Sequence, residues 1–331
     1  MSDEPPLTIT PQFLNQVADL AELVGRLAIN PGASGSPKLR RENRIRTIHS
    51  SLAIENNTLT LAQVSDILDG KRGLGLPREI QEVKNAFAAY EKLEEWDPTN
   101  ISDLLFAHGI MMKTLTKDAG QIRGEGVGIY RGSQLVHRAP PADRVEHLAR
   151  QLFEWLEATP LHPLIAASVI HYELQFIHPF SDGNGRTGRL WQTSILSRWR
   201  PQLAFLPVET VIRNQQADYY AALGKSDKAA DSGPFVEFML PALAMAVREL
   251  DTDQVGDQVS DQVKALLKAF KKKPEWSAED LMKFLKLKHR PTFRKNYLSP
   301  ALVSGLIEMT EPHSPRSPTQ RYRRVMNDPR F

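Results

Sequence analysis

The sequence predicts a mostly α-helical protein with one β-hairpin flap and a C-terminal winged helix-turn-helix, and three observations carry that expectation. Apolar residues recur at three- and four-residue intervals over most of the first 250 positions. One glycine-rich segment, 121–138, interrupts the pattern with residues suited to strands and turns. Charge then changes sign along the chain: residues 262–331 hold 16 Lys and Arg against 6 Asp and Glu, a net of +10, which leaves −7 for the residues before them out of +3 overall.

At 331 residues the chain is long enough for two domains. The expected division is a helical N-terminal region over 1–100, a helical domain over 101–250, a linker over 251–261 and the winged helix over 262–331. A composition with 41% hydrophobic and 24% charged residues excludes disorder as the main state. The longest nearly continuous apolar run, 240–247 with Pro241 inside it, is far shorter than the ~18 residues that suggest a membrane span, so no membrane partner is expected. The opening MSDEPPLTITPQ lacks the basic-then-apolar run of a secretory signal. Absence of cysteine removes disulfides, thiol nucleophiles and cysteine-held metals. A cytoplasmic location is the expectation.

Taken in order, Phe13, Val17, Leu20, Ala21 and Val24 make the first core-facing stripe, and Ile45, Ile48 and Leu52 the second, on a helix placed over 38–57. Leu61, Val64, Ile67 and Leu68 continue it, then Val83, Phe87 and Tyr90. Further helices are predicted over 102–115, 143–157, 164–177, 185–198, 215–224 and 234–250. In the interruption, Val127 with Ile129 and Leu135 with Val136 flank the turn-forming Arg131-Gly132-Ser133, which predicts the hairpin. Asp-Gln-Val then occurs three times, ending at Val255, Val259 and Val263, a spacing that fits a helix stripe and a polar tether equally. Beyond it lie a helix over 263–272, one starting at Ser277 with a Ser-Ala-Glu-Asp capping pattern, a third within 290–304, and strands over 306–310 and 320–325 around the turn-rich EPHSPRSP.

The chemistry concentrates in HPFSDGNGRTGR, residues 178–189. Pro179 biases His178 away from helical dihedrals, so the preceding helix ends there and presents the imidazole at its exit. Gly183 and Gly185 permit tight turns, and a helix beginning near Asn184 directs free N–H groups and its positive dipole end into the loop, a setting that holds anions. Arg186 and Arg189, three apart on that helix, share a face from which two guanidinium groups can grip successive phosphates. Asp182 supplies a hard oxygen of the kind Mg²⁺ takes beside phosphates and water. The spelling G-x-G-x-x-G also occurs here, but a dinucleotide site needs a strand before it, and helix precedes this one. No Walker-type G-x-x-x-x-G-K-[ST] is present.

HPFSDGNGRTGR resembles the signature of the Fic family (filamentation induced by cAMP), His-Pro-Phe-x-Asp/Glu-Gly-Asn-Gly-Arg-x-x-Arg, at every fixed position, and the resemblance covers roughly 40–250. It implies a helical catalytic domain that transfers AMP from Mg²⁺-bound ATP to a hydroxyl side chain of a target protein. By position, His178 becomes the base, Asp182 the Mg²⁺ ligand, Gly183, Asn184 and Gly185 the holders of the α- and β-phosphates, and Arg186 and Arg189 the contacts at the β/γ end. Phe180 anchors the loop in the core. Gly185 stands about where a kinase-like branch of the family has lysine, which favours nucleotidyl over phosphoryl transfer. The hairpin resembles the family's flap, whose edge pairs with an extended target segment. Tyr219 and Tyr220 match a Tyr-Tyr near the adenine, with an ordinary core pair as the equal alternative. His171 reads as a hydrogen-bonded interior histidine.

Upstream, Ser51-x-x-x-Glu55-Asn56 matches the family's inhibitory pattern, Ser/Thr-x-x-x-Glu-Gly/Asn, placed before the catalytic domain. Ser51 and Glu55 are one turn apart, with Leu52 packing inward. The expectation is a bidentate pair between Glu55 and the Arg189 guanidinium that withholds this arginine from the γ-phosphate. In the basic tail, 290–297 (RPTFRKNY) would enter a DNA groove, with Arg316, Arg321, Arg323 and Arg324 on or beside the wing, although basic docking domains for proteins share this layout. The function expected is self-restrained protein adenylylation, with the chain itself among the candidate targets and a homodimer left open. Its rivals are de-adenylylation with Glu55 orienting a water, transfer of another phosphate-bearing group, and a DNA-binding regulator that senses nucleotide.

Overall fold

The computed structural model describes residues 4–29, 36–71, 75–131, 134–258, 261–303, 306–312, 317 and 319–325. The chain divides into two compact units, Met1–Asp251 and Thr252–Phe331. Helix is the main secondary structure, and no described helix is long and apolar enough to cross a membrane.

The first unit runs α1 (Pro11–Ile29), α2 (Pro37–Ile54), α3 (Leu61–Leu68), α4 (Pro77–Glu91), α5 (Ile101–Met111), the hairpin β1 (Gly128–Arg131) and β2 (Gln134–Arg138), then α6 (Ala142–Ala158), α7 (Pro163–Ile177), α8 (Asn184–Trp199), α9 (Val208–Asn214), α10 (Gln216–Ala229) and α11 (Gly233–Gln258), whose residues after Asp251 belong to the second unit. Starts are set locally: Ser36 accepts from Leu39 N–H with Pro37 in the first turn, and Thr60 and Gln63 form a reciprocal capping box. The hairpin pairs Gly128 with Arg138 and Arg131 with Gln134, and the expected turn at Gly132 and Ser133 lies outside the described residues.

One hydrophobic core extends from Phe13 to Leu250, so the division expected near residue 100 does not appear. The cause is α2, which packs against α4, α8 and α9 and buries Ile45, Ile48 and Leu52 together with the polar Asn43, Thr47, Ser50 and Ser51. At the centre α7 and α8 lie along each other. The first is apolar on most sides and buried on most sides, whereas α8 (NGRTGRLWQTSILSRW) is polar by composition yet equally buried. Two of its polar groups bond within the core: Thr193 Oγ1 donates to Arg189 O at 3.1 Å, and Gln192 Oε1 meets His171 Nδ1 at 2.7 Å.

Other differences from the expected elements are local. The helix placed over 38–57 ends at Ile54, and that over 102–115 ends at Met111, with Thr114 at a φ of 62° beyond it. Leu61, assigned to the core stripe, is exposed in the first turn of α3. The short α9 and the 3₁₀ turn Pro201–Phe205 were not expected, being too brief to show a period.

The second unit contains α12 (Asp261–Phe270), β3 (Glu275–Ser277), α13 (Ala278–Phe284), α14 (Arg290–Phe293), α15 (Ser299–Val303), β4 (Ile307–Met309) and β5 (Arg321–Arg324). Ser277 caps α13 as its pattern predicts, accepting from Asp280 N–H at 3.1 Å. The helix expected within 290–304 is interrupted by a π-helical turn over Arg294–Leu298. The strands form an antiparallel sheet in the order β3-β5-β4, with Trp276 and Met309 both opposite Tyr322; the three-residue β3 was not expected. Val263, Leu266, Trp276, Leu281, Phe293, Leu298, Ile307 and Tyr322 make a separate core. Where a tether was one expectation, the Asp-Gln-Val segment is helical through Gln258 and again from Asp261, while Val259 lies outside the described residues, as does Arg316.

Candidate active site

Helix α7 ends at Ile177, and His178 turns out of it into the left-handed region, with φ 52° and ψ 61°. The residue before a proline is disfavoured in the α region, which explains the break; the left-handed rather than extended turn is a tertiary outcome. His178 Nδ1 lies 3.3 Å from Gln175 O. A carbonyl only accepts, so Nδ1 carries the proton and Nε2 keeps a free lone pair. Burial pushes the imidazole pKa down to about 4, against a smaller upward pull from the Gln175 carbonyl, so the ring is neutral at pH 7.

The loop after it is held from both sides. Phe180, 1% exposed, stacks on His108 with centroids 3.6 Å apart. The Asn184 side chain accepts from Phe180 N–H at 2.9 Å and donates to Phe180 O at 2.8 Å. His108 accepts from Gly120 N–H at Nδ1 and donates from Nε2 to Asp182 O at 3.0 Å, a tautomer fixed by those partners. Gly183 takes φ 84°, and a Cβ there would meet Met112 Sδ at 2.6 Å, so the position needs glycine twice over. Gly183 caps α8, and helical bonding begins with Thr187 N–H to Gly183 O. The N–H groups of Asn184, Gly185 and Arg186 are therefore outside the helical ladder, at the positive end of the dipole.

Arg189 and Arg186 face different partners. Arg189, 1% exposed, donates from Nη2 to Glu55 Oε1 at 2.7 Å, from Nε to Ser51 Oγ at 3.0 Å and from Nη2 to Ser51 O at 3.0 Å. The expected bidentate carboxylate pair is thus replaced by one carboxylate oxygen and two serine contacts, because Ser51 reaches the Nε edge first. Burial alone would lower this guanidinium's pKa; the charge and hydrogen bond of Glu55, together with Tyr219 and Tyr90, outweigh that and raise it. Arg186 pairs with Asp182 Oδ1 at 3.0 Å and Glu82 Oε1 at 3.4 Å, behind the cavity wall. Asp182 also accepts from Arg78 Nη2 at 3.2 Å.

The local signal at Ser51-x-x-x-Glu55-Asn56 has a plain backbone cause. Glu55 is the C-cap of α2, and Asn56 follows at a φ of 66°. Asn56 N–H donates to Ala53 O and Asn57 N–H to Leu52 O, the paired bonds of a Schellman motif. Asparagine and glycine are the residues that tolerate the left-handed position. Asn56 aims the chain after Glu55 and does not touch Arg189 in any contact above.

His178, Asp182, Gly183, Asn184, Gly185 and Arg189 line one cavity of about 260 Å³, and Glu55, Tyr219 and Tyr220 are also part of its wall. A Cβ on Gly185 would clash with Glu55 Oε1, so Glu55 reaches over the start of α8. Tyr219 is fully buried and bonds His171 Nε2 through its hydroxyl at 3.1 Å; Tyr220 packs on it edge-to-face. His171 is an interior histidine, as expected, with burial pushing its pKa down to about 3. Sequence reasoning passed over His137, which reaches from β2 to Phe176 O at 2.9 Å and Asp227 Oδ2 at 3.0 Å and lines the same cavity. It also passed over Arg78 and Glu82. Each stands on an element distant in sequence from 178–189, and no local pattern marks it.

Residues 98–196 match the family profile described as Fic/DOC family, and 261–324 match that of the filamentation induced by cAMP protein Fic-like, C-terminal domain. Protein adenylyltransferase fic-1 of Caenorhabditis elegans is 33% identical over 216 residues, covering 61% of this chain, and protein adenylyltransferase Fic of Drosophila persimilis is 32% identical over 229 residues, covering 64%. The chain spans about 40% of the first of these and 42% of the second. Among solved structures, a Fic family protein from Desulfovibrio desulfuricans G20 is 58% identical, with 98% of this chain and 99% of that one covered and a TM-score of 0.74. A fragment of C. elegans Fic-1 aligns over 72% of both chains at 26% identity and a TM-score of 0.61.

Proposed function

The chain belongs to the Fic family, and from that premise we propose that it is a protein adenylyltransferase restrained by its own Glu55. The observation that carries this reading is the meeting, in one cavity, of a neutral imidazole, the N-terminus of α8 and a buried arginine already paired with an acidic side chain. ATP is the substrate by the same reading, as the relatives named adenylyltransferases suggest.

In the proposed step the target hydroxyl oxygen attacks the α-phosphorus, its proton passes to His178 Nε2, and the bond to the β-phosphate breaks so that pyrophosphate leaves with the electron pair. Little covalent help is needed; position and charge neutralisation do most of it. The N–H groups of 184–186 suit the phosphate oxygens. Arg189 suits the γ end once Glu55 withdraws. Arg186, behind the wall, holds Asp182 in place in this state. Asp182 offers a half-exposed carboxylate at the cavity, and one carboxylate completed by phosphates and water is a normal set for Mg²⁺. When bound there, the ion would neutralise phosphate charge. The hairpin's open edge suits an extended target segment, as in strand addition.

A second reading concerns the second unit alone. Its net charge, and the exposed Lys288, Arg290, Arg294 and Lys295 on and before the interrupted helix, favour a winged helix that contacts a nucleic-acid backbone.

Incubation with ATP labelled at the α- or the γ-phosphate tests the first reading. Adenylyl transfer puts α-label alone on protein. Label from γ alone means phosphoryl transfer, and loss of AMP from a pre-labelled target means removal; either outcome replaces the proposal.

A further inference from the structure

Arg123 lies between α5 and β1, 3% exposed, and divides its hydrogen bonds between two places. Nε donates to His178 O at 2.7 Å and Nη2 to Ile177 O at 3.4 Å, on the loop that carries the imidazole. Nη1 donates to Glu125 O at 2.6 Å and Nη2 to Pro140 O at 2.7 Å, on the two legs of the hairpin just outside its strands. The residue's own N–H donates to Pro179 O at 2.9 Å. All four side-chain acceptors are main-chain carbonyls, and burial pushes the guanidinium pKa down.

Three features make this more than packing. His178 holds a left-handed φ of 52°, a conformation that a residue with a Cβ keeps only where its surroundings over-determine it, and its carbonyl is fixed by Arg123. The last carbonyls of a helix lack helical donors, and here one cation satisfies Ile177 O and the residue after it. A planar guanidinium presents five N–H groups in a fixed fork and can span both legs of a hairpin and a loop at once; a lysine ammonium is a point donor and cannot.

We propose that Arg123 is a positioning residue that makes the base of the hairpin and the backbone of His178 one rigid body, so that an acceptor held along the hairpin edge meets Nε2 at a set distance. The proposal rests on the transferase reading only for what the hairpin holds. Arg123 touches neither the α8 N-terminus nor Arg189 in any contact above, so nucleotide affinity and acceptor alignment should separate.

The test uses the full chain carrying Glu55→Gly, alone and with Arg123→Lys or Arg123→Gln. Backbone hydrogen exchange should show segments 125–140 and 177–180 losing protection together, by about tenfold or more, while 164–174 and 187–197 stay protected. Calorimetry should give a Kd for Mg²⁺-bound ATP within about threefold of the parent, with α-label incorporation down about tenfold or more, a loss in kcat rather than in nucleotide binding. The proposal is overturned if the two segments keep parental protection, if only one loosens, or if nucleotide affinity falls as far as transfer does. Loss of a cooperative melt in both variants would also overturn it, since Arg123 would then be a general folding residue. Should the Glu55→Gly parent transfer no AMP, it is the transferase reading that fails, and the exchange result alone decides the role of Arg123.

Discussion

Arg189 and Glu55, 134 residues apart in sequence, meet at 2.7 Å over the first turn of α8. The arginine is fully buried and the carboxylate partly open to the cavity, so the pair is anchored from the core side and can be broken only by moving α2 or the Glu55 side chain.

Removing the carboxylate should release the site. Glu55→Gly is expected to raise α-label incorporation by about 10- to 100-fold, because misplacement of a phosphate by about 1 Å carries a penalty of that order. Glu55→Asp, one methylene shorter, should be intermediate, with Ser51 still on Nε. Arg189→Ala should stay inactive in the Glu55→Gly background; recovery there would separate Arg189 from the triphosphate.

His178→Ala should reduce transfer by about 10²–10⁴-fold with nucleotide binding nearly intact. Since kcat/KM reports the free enzyme, its acid limb in Glu55→Gly protein should lie near the depressed value of about 4 or below, not near 6.5, once corrected for the ionisation of ATP itself. The direction follows from Glu55 being one of the groups that raise this pKa. By linkage, a base kept neutral by burial contributes stability above its unfolded pKa of about 6.5 and loses it as pH falls toward 4. An acid limb at 6.5 would show that the imidazole is not desolvated.

Asp182→Ala should abolish the Mg²⁺ dependence of nucleotide binding in calorimetry run with and without the ion, in the Glu55→Gly background. Equal Mg²⁺ enhancement in the variant and its parent would assign the metal elsewhere.

Phe180→Ala removes a buried ring stacked on His108 and should cost about 3–5 kcal/mol of stability, read from the urea midpoint of the first unit. A cost under about 1 kcal/mol would mean that the loop does not depend on this anchor.

Binding of duplex DNA by the full chain, if carried by the second unit, should weaken steeply from about 50 to 200 mM salt. Arg290→Glu with Arg294→Glu should weaken it further and flatten the slope. Salt-independent binding, or none at low salt, would remove the nucleic-acid reading.

Legibility in the sequence followed the range of the forces involved. Pro179 ending α7, Gly183 opening α8 and Ser277 starting α13 are decided within a few residues by dihedral preference and capping, and each was read from the sequence at its place. HPFSDGNGRTGR was legible for the same reason, since one loop and one helix turn hold most of its groups. The sequence alone also determined that α2 carries an acidic residue followed by one tolerant of a left-handed turn. Tertiary structure decided the rest. That Arg186 pairs with Glu82 and that Ser51 shares Arg189 with Glu55 depend on partners from other elements. Burial of the polar face of α8, and the shared core that joins α2 to α7 and α8, likewise follow from which surfaces meet. A side chain's rotamer and partner are chosen by packing against residues a hundred positions away, and no pattern of local periodicity encodes that choice.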